Sequence, residues 1–388
     1  MKHLKTLLAA TAAAALAAGA HAQTRGVSDD EIVIGGAHDL SGVFAAVSTP
    51  AVNGANLYFD QINEDGGVHG RSIRYIVEDH GYQLPRATQA FNKLIERDEV
   101  FAMLLNLGTP HNLAHYSLME RRGVPNVNPL TAARDILPDP PGMNFSAFSS
   151  YYDQMIAGVR YLHEESGATK VCSMYLPTEF GEEIMQGTRD AAEMLDLDYV
   201  AETTHRPDEQ DFVGALSRLR SEGCEIITQA VGVRAGITIV GTAKRLGWDD
   251  VMFLTSSAGF LEAVAEVPGG VTDGLYAAAG WVDLASRADQ EAAAEFMEAY
   301  EEAYDQTAGG FAMLGYTAAR QLHMALEAAG PDLTTEGFVE GMYTIDYVDE
   351  LLDVEINYSA DNHQGGNIVT ISVVNDGAWE LISREELE

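Results

Sequence analysis

The strongest constraint on this chain is an alternation of short β-rich runs with longer helical patterns, laid down twice in succession from residue 31 onward. Residues 31–37 (EIVIGGA) read as a strand. Val52, Ala55, Tyr58, Phe59 and Ile62 then recur at three- and four-residue spacing, which is one apolar stripe of a helix. Residues 63–70 (NEDGGVHG) form a turn whose glycines supply positive φ. Further strands are expected at 72–78, 100–106 and 125–128, with helices at 86–97 and 111–122. Strand–helix–strand repetition implies a parallel sheet with helices on both faces. Around 144–152 (NFSAFSSYY) the pattern restarts. Helices are expected at 152–166, 180–195, 210–222 and up to 246, and strands at 170–175, 199–202, 225–231 and 251–255. An extended run at 275–280 precedes helices at 290–304, 315–329 and 335–342. Residues 354–358 and 368–374 read as strands able to complete either half. The fold class is therefore α/β, with two Rossmann-like lobes. The breaks near 148 and 276 fall in extended segments without a flexible linker, which suits a hinge.

Ahead of the first strand, residues 1–22 carry Lys2 and Lys5, an apolar stretch and the small-x-small site Ala20-His21-Ala22. That is the pattern of an export signal, too short to span a bilayer. No Cys lies near the cleavage site, so a soluble periplasmic chain is expected rather than a lipoprotein. Lys and Arg number 23 against 59 Asp and Glu, a net charge of −36. Such a surface repels nucleic acid and anionic headgroups, and both drop out as partners. Only Cys172 and Cys224 are present. Export permits a bond between them. Sequence does not set their separation, and two buried free thiols are the preferred reading.

In an open parallel α/β sheet, ligands bind beyond the C-terminal ends of the strands. The first such loop is Asp39-Leu40-Ser41-Gly42. The second is Leu107-Gly108-Thr109-Pro110, where Gly108 allows a tight turn, Thr109 can cap a helix and Pro110 suits its first position. Amides and a hydroxyl at a helix start can receive a carboxylate, or can form a cap that touches no ligand. Leu130-Thr131 offers a second hydroxyl, or merely another capped turn. Phe180 is an aromatic wall or a core residue. Val231-Gly232 and Ser256-Ser257 follow later strands, and Tyr151, Tyr152 and Trp281 fall near the crossings. Motifs for acyl transfer, zinc hydrolysis and nucleotide binding (G-x-S-x-G, H-E-x-x-H, the P-loop, G-x-G-x-x-G) are absent from the sequence. No catalytic residue, cofactor or metal is expected.

Glu31-Ile-Val-Ile-Gly35 followed by Leu40-Ser41-Gly42, then Asn53-Gly-Ala55, Ile62-Asn63 and above all Gly66-Gly67-Val68-His69-Gly70-Arg71 give the chain a specific likeness. In this order, and with Phe180-Gly181 in the second half, it resembles the leucine/isoleucine/valine-binding protein family. These are type I periplasmic solute-binding proteins of ABC transporters, and the likeness covers nearly all of the chain after the signal. It implies two lobes joined by three crossings: 28–148 with 277–358, and 149–276 with 359–388. It implies a monomeric receptor that closes on a small solute and docks to an inner-membrane ABC permease, without inserting in the membrane and without catalysis. The same architecture can instead serve a chemoreceptor or sensor kinase; an exported enzyme is the remaining alternative. The resemblance places Ser41, Gly108, Thr109, Leu130, Thr131, Phe180, Val231 and Ser257 at the ligand. Where amino-acid binders in the family carry an acid for the ligand ammonium, this chain has Ser257. A buried unpaired ammonium is costly. The expected solute is therefore a carboxylic or aromatic acid or an amide, unless Asp39 or Glu179 replaces the missing charge.

Overall fold

The computed structural model describes residues 24–387; the expected export signal at 1–22 lies outside the described residues. The first lobe opens with β1 (Glu31–His38), α1 (Ala45–Glu64), β2 (Ser72–Asp79), α2 (Leu84–Asn92), β3 (Ala102–Leu104), α3 (Thr109–Arg122), β4 (Asn126–Val127) and β5 (Asn144–Phe145). Its five strands are all parallel, in the order β2-β1-β3-β4-β5. Strand β1 is buried from Ile32 to His38, as an apolar run covered on both sheet faces must be. The stripe on α1 is the buried one: Val52, Ala55, Tyr58 and Phe59 all face the core. Where one helix was expected over 86–97, α2 gives way to a π-helical turn at Lys93–Arg97.

The second lobe follows with α4 (Tyr151–Ser166), β6 (Lys170–Tyr175), α5 (Glu179–Met194), β7 (Asp198–Thr204), α6 (Val213–Glu222), β8 (Ile226–Ala230), α7 (Val233–Arg245), β9 (Met252–Ser256), the single turn α8 (Glu262–Ala265) and β10 (Leu275–Ala279). The chain then returns to the first lobe as α9 (Glu291–Tyr304), α10 (Gly310–Ala329), α11 (Thr335–Met342) and the antiparallel pair β11 (Asp346–Asp349) and β12 (Val354–Asn357). It ends as β13 (Ile368–Asn375) and β14 (Ala378–Glu386), an antiparallel ribbon added to the second sheet. That sheet runs β14-β13-β10-β9-β8-β6-β7. Strand β10 lies wholly within it, so the second passage between lobes follows Ala279 rather than residue 276.

The chain thus passes between sheets three times, after β5, β10 and β12. The first and third passages are hydrogen-bonded side by side: the Ser146 amide donates to the His363 carbonyl at 2.9 Å and the Gly365 amide to the Ser146 carbonyl at 2.8 Å. Thr370 donates its hydroxyl to the Trp281 carbonyl at 2.7 Å, tying the second passage to β13.

Helix α10 lies against α1 at backbone contact. A Cβ on Gly54 would come within 1.9 Å of the Ala312 carbonyl oxygen, and one on Gly315 within 1.9 Å of the Ala51 carbonyl oxygen. Glycine at both positions is what lets the two helices close.

The structure corrects the expectation of free thiols. Cys172, on β6, and Cys224, just ahead of β8, form a disulfide with a Cα–Cα separation of 5.9 Å. Strands β6 and β8 are neighbours, pairing Val171 with Ile226, so the turn into β8 brings Cys224 beside Cys172. Both are buried.

Candidate functional site

The strand ends of both lobes and the passages between them line one cavity, whose space between atoms, including the solvent at its mouth, is about 440 Å³. On the first lobe it is built from two adjacent loops. Leu107 and Leu130 pair as an isolated parallel bridge, resuming the β3–β4 pairing three residues past the strands. Gly108 follows with φ 99°, a region that side chains disfavour, and a Cβ there would meet His111 Nδ1 at 2.4 Å. The turn delivers Thr109 and Thr131 to the same point, with their Oγ1 atoms 2.6 Å apart and both residues almost wholly buried.

The sequence offers Thr109 as the helix cap, but it does not take that role. Gly108 is the cap residue, Thr109 is the first residue of α3, and its hydroxyl is turned to Thr131. The first amides of a helix have no partner within it. The site thus combines two hydroxyls with a helix start, an arrangement that suits a carboxylate.

No cation assists. His80 and His111 stack behind the Gly108 turn with centroids 4.4 Å apart, and burial lowers His80 to about 4 and His111 to about 3. Both imidazoles are neutral near pH 7. No Asp, Glu, Lys or Arg lines the cavity among the described residues.

The remaining walls are aromatic. Phe44 and Tyr82 come from the loops after β1 and β2, with ring centroids 4.7 Å apart. Phe180, at the start of α5, meets Phe44 at 5.8 Å across the lobe boundary and Tyr151 at 5.3 Å. Tyr151 sits at the first turn of α4, which Ser150 caps by accepting the Asp153 amide; burial pushes its phenol up to about 12. Phe148 and Trp281 come from the first two passages, 5.2 Å apart, and Phe311, in the first turn of α10, packs on Trp281 at 5.9 Å. Ser257 completes the second-lobe side, its amide held by Gln154 Oε1 at 2.9 Å.

Six of the eight residues expected from sequence therefore line one cavity: Gly108, Thr109, Leu130, Thr131, Phe180 and Ser257. Ser41 and Val231 do not. Ser41 lies at an outer mouth between the lobes and donates to Asp79 Oδ2 at 2.7 Å; Val231 is packed in the core beside it. Neither candidate for a replacement charge reaches the cavity. The Asp39 carboxylate accepts the amides of Ser41, Gly42 and Phe44, and Glu179 faces a second outer mouth.

Sequence reasoning did not find Phe44, Tyr82, Phe148 or Phe311. Tyr82 follows β2 and was accessible to the strand-end rule. Phe311 was not, because Gly309 caps α10, Gly310 opens it, and its periodic pattern becomes visible only from Gly315.

A periplasmic binding protein family model matches residues 31–378. Leu/Ile/Val-binding protein homolog 8 of Brucella abortus is 20% identical over 332 residues, covering 82% of this chain and 81% of its own. Among solved structures, a fatty acid ABC transporter substrate-binding protein from Thermomonospora curvata superposes with a TM-score of 0.86 at 25% identity, covering 94% of this chain and 95% of its own. A solute-binding protein of an ABC transporter from R. palustris, in complex with benzoate, superposes at 0.81 with 17% identity, over 92% and 97%. With two parallel sheets, a shared cavity at their strand ends and a match along almost its whole described length, this chain belongs to the periplasmic binding protein family.

Proposed function

We propose that this chain is the solute receptor of an ABC importer and that its solute is a small carboxylic acid with an apolar or aromatic body, not an ordinary branched-chain amino acid. The observation that carries this reading is the cavity lining: two hydroxyls at a helix start, surrounded by aromatic rings, with no acid among the described residues to meet an ammonium. A leucine bound here would bury its amino group unpaired, at several kcal/mol by typical values. A benzoate-like acid buries only its carboxylate, on the Thr109–Thr131 side. A solved structure titled a fatty acid ABC transporter substrate-binding protein, and a solute-binding protein in complex with benzoate, agree with that chemistry. In this reading the chain is exported on residues 1–22, works in the periplasm as a monomer and hands its solute to an inner-membrane permease. Solute favours the closed form because only there do both lobes touch it.

A thermal-shift screen of benzoate, hydroxybenzoates, short branched acids, leucine and valine tests the reading. A true solute at a hundredfold excess over Kd stabilises by about 2.7 kcal/mol. Micromolar binding of leucine or valine, with no response to any acid, would overturn it. For the acid that binds, Thr109→Val is expected to weaken affinity roughly 10- to 100-fold, the equivalent of about 1–3 kcal/mol for a hydrogen bond to a charged group. Calorimetry reads that loss directly.

A further inference from the structure

Two carboxyl groups of the second lobe are half-buried against the first lobe. Glu183 lies on α5, three residues beyond Phe180. Both of its oxygens accept the Arg134 amide, at 2.9 and 3.0 Å, and its side chain is only 9% exposed. Glu262 begins α8, and its Oε1 accepts the Gly310 amide at 2.6 Å, at the start of α10 and beside the cavity residues Trp281 and Phe311. In each case a side chain from one lobe is seated on a backbone N–H of the other. Both contacts bridge the two lobes.

We propose that Glu183 and Glu262 are positioning residues that latch the closed form, and that closing therefore takes up protons. The inference rests on the reading of the chain as a receptor that opens and closes, with the described arrangement as its closed form, but not on which solute it takes.

The surroundings of each group set the sign. Glu183 is faced by Arg134 and Asp135 from the first lobe and by Tyr151 and Tyr152 from α4; the Arg134 guanidinium lies over the Tyr152 ring at 3.5 Å with its Nε 3.5 Å from Glu183 Oε1, an ion pair that opposes the effect of burial without cancelling it. Glu262 is faced by Asp283 from the second passage and Glu266 from its own turn, both acidic. Arg287, the nearby cation, is engaged with the Asp283, Glu350 and Leu351 carbonyls. Desolvation dominates at both sites and pushes each carboxyl up to about 7 in the closed form, against an ordinary value of 4.5. A neutral carboxyl still accepts the amide. In an open form both groups face water and ionise in the ordinary range. The closed form is thus fully favoured below pH 4.5, loses that advantage as pH rises towards 7, and is insensitive above it.

The test needs no solute. Dyes placed on one exposed residue of each lobe, through Glu120→Cys and Glu222→Cys, report the closed fraction by single-molecule energy transfer. The expected result is a closed-to-open ratio at least about tenfold higher at pH 5 than at pH 8. In the double variant Glu183→Gln/Glu262→Gln the ratio stays high and loses its pH dependence; each single variant removes part of it. A closed fraction that does not change between pH 5 and pH 8, or a double variant that keeps the full dependence, overturns the proposal. Either outcome leaves the receptor reading to be judged separately by the thermal-shift screen.

Discussion

Replacing Cys172 and Cys224 together with alanine is expected to lower the unfolding free energy by about 3–4 kcal/mol, the value for a cross-link closing a loop of this length. The bond joins residues 52 apart and encloses α5, β7 and α6. Without it the unfolded chain regains the freedom of that whole stretch, while the folded lobe loses little, because alanine fills most of each buried site. Urea unfolding of the oxidised parent and the variant measures the difference. A change below about 0.5 kcal/mol would mean that the unfolded chain is already compact there. Reduction of the parent should reproduce the alanine result, which makes the second lobe dependent on an oxidising compartment for its margin of stability.

The second large effect is expected at the α1–α10 contact. In Gly315→Ala the new methyl group would lie 1.9 Å from the Ala51 carbonyl oxygen, a backbone atom with nowhere to move. The helices must part along their length, and the loss is expected to be about 3 kcal/mol. The same substitution at Gly214 is an internal control. A Cβ there meets nothing within 4 Å, and the residue is helical. Gly214→Ala is expected to stabilise by about 0.5–1 kcal/mol through loss of freedom in the unfolded chain. Two identical exchanges with opposite signs separate packing from propensity. If both variants shift in the same direction, the close approach of α1 and α10 is not what Gly315 provides.

What could be read from the chain, and what could not, divides along the reach of the interactions. Strand β1, the stripe on α1 and the Gly66–Arg71 turn were legible because each is dictated by its own few residues. The turn holds three positive-φ glycines and a Val68–Arg71 bridge. The Gly108, Thr109 and Thr131 cluster was legible because strand ends in a parallel sheet must converge. The disulfide was not, since it depends on which strands become neighbours and on where the chain enters β8. Nor was the role of Thr109 as partner to Thr131 rather than helix cap, because the choice between two hydrogen bonds is made by a loop twenty residues away. Ser41 and Val231 follow strands just as the others do, but their loops face an outer mouth. Phe311 and Glu262 reach the site region from elements whose sequence neighbours lie far from it, and no local pattern marks them.

Because the ribbon of β13 and β14 closes a sheet begun two hundred residues earlier, and α9 to α11 supply the outer layer for a sheet finished before the first passage, neither half is a continuous stretch of chain. During synthesis the first five strands must wait for helices still unmade, and the second sheet must wait for the final segment before its β10 edge is covered. Neither half can therefore be completed until nearly the last residue has been made, and the two halves reach their final packing together.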